Sequence, residues 1–80
     1  MVMKLNKEIY KLIEEALGLN AGLINSESDN KNISEWDSLG HFAILSALDN
    51  KYDDITIRSP RLVEATSVVE IVDIVTNDKN

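Results

Sequence analysis

Apolar residues at helical spacing define the start of the chain, with Leu5, Ile9, Leu12, Ile13, Ala16 and Leu17 on one side and Lys7, Glu8, Lys11, Glu14 and Glu15 on the other. A short amphipathic helix persists only when its apolar stripe is covered, so the rest of the chain must supply that cover. Asn6 is placed to cap the helix at its start, and Gly18 to end it in the left-handed conformation. The chain has 80 residues and no cysteine. At this size folding hides about 60% of the unfolded surface, so the core is thin and held by packed side chains alone. A single domain over residues 1–80 is expected.

Residues 18–36 are rich in Gly, Asn, Ser and Asp, a composition that favours turns and competes with helix. They predict a long loop pinned to the core by Leu19, Leu23, Ile24 and Ile33. A second helix is expected from Asp37, whose carboxylate can accept from the free amides of the first turn, to about Tyr52. The alternation Ile55-Thr56-Ile57 hints at a strand with nothing to pair with, so Asp53 to Arg58 reads as loop. Ser59 and Pro60 read as the cap and first residue of a short helix ending near Glu64. Ser67 and Glu70 have the spacing of a capping box for a last helix, in which Glu70 and Asp73 interrupt a valine and isoleucine run every third residue. Asn77 to Asn80 read as a polar tail. The expected fold is all-α, with four helices, a long loop between the first two and a short third helix.

Around the second helix, Ile44, Leu45, Ala47, Leu48 and Tyr52 share one arc, the side that packs on the other helices, with His41 at its edge as a structural histidine. The opposite arc holds Ser38, Leu39, Phe42, Ala43, Ser46, Asp49, Asn50 and Asp53. Two large apolar side chains rimmed by acids read as a partner-binding face, made of Leu39, Phe42, Ser46, Asp49 and Asp53. Ser38 stands at the helix start, where free amides and the positive end of the helix dipole favour a phosphate.

Fourteen acids oppose eight bases, a net charge of -6. That charge repels nucleic acid and anionic membranes and favours protein partners. No apolar run approaches the roughly 18 to 20 residues of a membrane span, and Met1 to Leu5 lead into a polar continuation unlike a signal peptide. A cytoplasmic monomer is expected. A calcium loop counted from Asp49 would need glycine and glutamate where Asp54 and Pro60 stand, so no metal site is read there. A hydrolase reading of Ser38 lacks an independent histidine base, His41 being the only histidine and on the same helix.

The segment Trp36-Asp37-Ser38-Leu39-Gly40-His41 resembles the attachment motif of acyl carrier proteins. The likeness extends over the order of helices and over Thr66-Ser67-Val68 at the start of the last one. The resemblance implies a four-helix acyl-carrier-like bundle that is not an enzyme, with 4'-phosphopantetheine from coenzyme A attached covalently at Ser38 by a magnesium-dependent phosphopantetheinyl transferase. Asp37 would help position the transferase's metal and reagents. Leu39 and Phe42 would be gripped by acyl-loading and acyl-processing enzymes. The cargo would ride as a thioester in a polyketide, peptide-like or fatty-acid-related pathway. Gly40, His41 and Ala43 occupy a stretch that is acidic in fatty-acid carriers, and Arg58 and Arg61, read as solvated, add positive charge nearby. The alternative is a helical interaction module that binds through Leu39 and Phe42 and carries nothing.

Overall fold

The computed structural model describes residues 2–79, and the side chains of 5–78. It is all-helical: α1 (Val2–Leu17), α2 (Ser38–Lys51), α3 (Ile55–Arg58), a 3-10 helix (Pro60–Glu64) and α4 (Val68–Lys79). Helix α1 packs on α2 and α4, and the two short helices bridge α2 to α4. The core joins Ile9 and Ile13 of α1, Ile44 and Leu48 of α2, Ile55, Leu62, and Val68, Ile71, Ile74 and Val75 of α4. Burying each of these side chains is worth about 1.5–3 kcal/mol.

The periodic segments form helices because their apolar spacing matches what the core can cover. In α4, Glu70 and Asp73 are exposed while Val68, Ile71 and Ile74 are buried. The Ser67 Oγ accepts from Glu70 N–H (3.3 Å), as in a capping box, but Glu70 reaches back to Thr66 N–H (2.8 Å), one residue before the cap. That bond, with those from the Thr66 and Ser67 side chains, holds the Glu70 carboxyl below the usual glutamate range. Gly18, at φ 71°, ends α1. Leu19 N–H bonds to Glu14 O (2.8 Å) and Gly18 N–H to Glu15 O (3.3 Å), the paired bonds of a Schellman stop.

Several expectations are corrected. Asn6 lies inside α1 and caps nothing, because Val2, Met3 and Lys4 contain no helix breaker and the helix already runs from Val2. Of the four residues expected to pin the loop, Ile24 and Ile33 are buried and Leu19 is partly buried against the core, but Leu23 is exposed and the buried Trp36 takes part in its place. Residues 55–58 form a helical turn because Asp49 of α2 accepts from Thr56 N–H and Oγ, both at 2.9 Å, capping a helix whose own flanking residue does not. Ser59 makes no side-chain cap to the 3-10 helix. Helix α4 continues through Asn77 and Asp78, and Asn80 lies outside the described residues. Arg58 is exposed as expected, yet it is also held: it donates to the carbonyls of Tyr52 (2.8 Å) and Asp53 and pairs with Asp78 at 3.1 Å.

The loop is stitched by its own short polar side chains. Asn25 Oδ1 accepts from Glu27 N–H (2.8 Å), Asp29 Oδ1 from Lys31 and Asn32 N–H (2.8 and 3.0 Å), and Asn32 Oδ1 from Asp29 N–H (3.0 Å). An isolated antiparallel bridge between Asp29 and Ser67 ties it to the start of α4. Glu14, expected on the solvated side of α1, is buried, and its Oε2 accepts from Gly22 N–H (2.9 Å) and Ile24 N–H (3.0 Å). A carboxylate there gives two loop amides a charged acceptor they would otherwise lack. Glu14→Ala is expected to lower stability by about 2–3 kcal/mol, with Glu14→Gln intermediate, read from urea unfolding midpoints.

Candidate functional site

The site is the start of α2. Asp37 adopts an extended backbone (φ -97°, ψ -165°), and its Oδ1 accepts from Gly40 N–H at 2.9 Å, which closes the first turn. Ser38 is the first helical residue and is exposed. Its Oγ enters no hydrogen bond among the described residues. Unpaired amides of the first turn and the helix dipole put positive potential around that oxygen. A phosphodiester formed there would be electrostatically favoured.

Two contacts hold this helix start against the rest of the fold. The buried Trp36 donates its indole N–H to His41 Nδ1 at 3.0 Å, with the two rings near-parallel (14° between planes). Because Nδ1 accepts, the ring proton sits on Nε2, which donates to Leu62 O at 3.0 Å. His41 therefore links the end of the loop, α2 and the 3-10 helix, and both its ring nitrogens are committed. Trp36 and His41 occupy the two positions of a hydrophobic staple around the Asp37 cap, a local signal that could have placed Trp36 in the core. The second contact is at Gly40, where an added Cβ would lie 2.1 Å from Glu35 O and 2.9 Å from Leu17 Cδ2. Only glycine lets the loop backbone pass this close to α2.

An open cleft of about 490 Å³ lies beside Ser38, with Trp36, His41, Val63, Glu64 and Thr66 among the residues around it. On the outer face of α2, Leu39 is 81% exposed and Phe42 70%, and Ser46 and Asp53 are exposed as well. Asp49, expected among the partner contacts, engages both carboxylate oxygens on Thr56, so its work is to hold α3. Inward, Ile44, Leu48 and Tyr52 are buried as the arc required. The Tyr52 hydroxyl donates to Glu8 at 2.7 Å, and burial together with that bond pushes its pKa up. No helix among the described residues is long and apolar enough to cross a membrane.

No protein-family model, curated protein or solved structure matches this chain. The functional reading therefore stands on the residues and their geometry.

Gly40→Ala is expected to cost about 2–3 kcal/mol of stability through the backbone clash, measured by chemical denaturation. His41→Ala is expected to cost about 1–3 kcal/mol, since it strands a buried indole N–H. Faster amide hydrogen exchange at residues 38–41 would show that the loss is centred on the helix start.

Proposed function

We propose that the chain is a carrier protein modified at Ser38, belonging with the acyl carrier proteins it resembles. The observation that carries the reading is an exposed, uncommitted serine hydroxyl at the first residue of a capped helix, inside the string Trp36-Asp37-Ser38-Leu39. In the attachment reaction Ser38 Oγ attacks the β-phosphorus of coenzyme A. The Oγ–P bond forms, the bond to the departing adenosine 3',5'-bisphosphate breaks, and the hydroxyl proton passes to a base on the transferase. Asp37 caps the helix and stands beside the acceptor, where its carboxylate would help the transferase position its metal and reagents. When attached, 4'-phosphopantetheine supplies a terminal thiol that holds acyl cargo as a thioester. Ser38 and the rigid helix start then present the tether to loading and processing enzymes at high local concentration. Leu39 and Phe42 form the apolar part of the docking face, with Ser46 beside them and Asp53 at its rim. A polyketide, peptide-like or fatty-acid-related pathway is the setting.

The exposure of Leu39 and Phe42 also favours a second reading, an interaction module that carries nothing. Incubation with coenzyme A, magnesium and a broad-specificity transferase separates the two. The carrier reading expects the mass of one arm on the intact chain and none on Ser38→Ala. Absence of the adduct with several such transferases would favour the interaction module.

A further inference from the structure

Asn6, which caps nothing, leaves its amide oxygen idle inside the fold. Two side-chain polar atoms among the described residues are buried without a hydrogen-bond partner, Asn6 Oδ1 on α1 and Thr76 Oγ1 on α4. Both residues line one open cavity of about 300 Å³, which shares no residue with the cleft beside Ser38. Native folds leave few buried polar groups unpaired, so two of them meeting at one cavity call for a cause. Most of the remaining wall is apolar, formed by Val68, Val69 and Val72 of α4 and by the Tyr10 ring of α1, with Ser26 of the loop beside them. Asp73 also lines the cavity, on the same helical stripe as Val69, Val72 and Thr76. It is exposed and enters no ion pair among the described residues. Among those residues no base lines the cavity.

We propose that this cavity binds a small primary ammonium with a short apolar body, the body against the valines and the Tyr10 ring and the charge beside Asp73. An ammonium offers three N–H donors and accepts nothing, which answers Asn6 Oδ1, Thr76 Oγ1 and the Asp73 carboxylate together. A neutral alcohol brings one donor to the same three acceptors. An anion meets Asp73 and a chain of net charge -6. Neither orphaned oxygen is open to solvent, so binding turns each side chain toward the ligand. Threonine can do this within a helix, where two χ1 wells are available to it. The site is independent of the carrier reading and is tested on the chain whether or not Ser38 accepts an arm.

The test titrates the intact chain with isoamylammonium at constant pH and ionic strength and follows amide NMR spectra. Saturable shifts gathered at residues 6, 10, 69, 72 and 76 are expected, with a Kd on the order of 1–10 mM, within reach of so small a ligand. Isoamyl alcohol lacks the charge, isovalerate reverses it and methylammonium lacks the body, and each is expected to bind at least about tenfold more weakly. Thr76→Val removes the unpaired hydroxyl at nearly constant shape, so it is expected to raise the urea unfolding midpoint while weakening isoamylammonium about fivefold. Asp73→Asn is expected to weaken binding about threefold, the scale of an exposed ion pair, with the midpoint unchanged. Equal binding of the alcohol, equal binding of methylammonium, or full affinity in Thr76→Val overturns the proposal. Absence of saturable shifts overturns it too, and a midpoint lowered by Thr76→Val would then identify ordered water as the partner of these oxygens.

Discussion

The indole N–H of Trp36 and its acceptor, His41 Nδ1, fix where α2 begins. With Trp36 buried, the loop must end against the core directly before Asp37, and with His41 Nε2 bonded to Leu62 O the first turn cannot rotate away from the 3-10 helix. The Asp37 cap then has one geometry available, and Ser38 emerges at the corner between coil and helix. Glycine at position 40 serves the same end by letting the Glu35 carbonyl lie against the helix. The exposure of one hydroxyl is thus a consequence of buried contacts on either side of it.

How much of this is legible in the sequence follows the range of the interactions. The α1, α2 and α4 periods, the Gly18 stop and the Asp37 cap involve partners within a few residues of one another, and each was readable. So were the exposed Leu39 and Phe42 and the buried Ile44 and Leu48, which follow from angle around a helix. What escaped depends on partners brought by tertiary folding. Helix α3 is capped by Asp49 from another helix, Glu14 is buried by loop amides at Gly22 and Ile24, and Arg58 is held by Asp78 at the far end of α4. The same cause gives Asp49, on the outward arc, a structural duty toward α3 that the sequence does not show. A carboxylate on an outward arc looks available until a neighbouring element consumes its acceptors.

Acidic side chains in this fold divide accordingly into two kinds. Glu14, Asp37, Asp49, Glu70 and Asp78 accept hydrogen bonds that close turns, caps or helix contacts. Their charge is coupled to structure, and such charge-assisted bonds are stronger than neutral ones. The donors are neutral amides and hydroxyls in every case but Asp78, which faces Arg58, so this charge is fixed in place and not cancelled.

Helix α2 carries large apolar groups on both faces, Ile44 and Leu48 inward and Leu39 and Phe42 outward. Segregation of polar from apolar residues cannot by itself orient such a helix, because either face could seek the core. Its ends decide. Asp37, with the Trp36–His41–Leu62 chain, orients the first turn, and Asp49 on Thr56 with the Tyr52 hydroxyl on Glu8 orients the last. Orientation set at the ends leaves the middle of the outer face without structural duty. Leu39 and Phe42 can then be chosen by what they touch outside the molecule, at no cost to the fold that displays them.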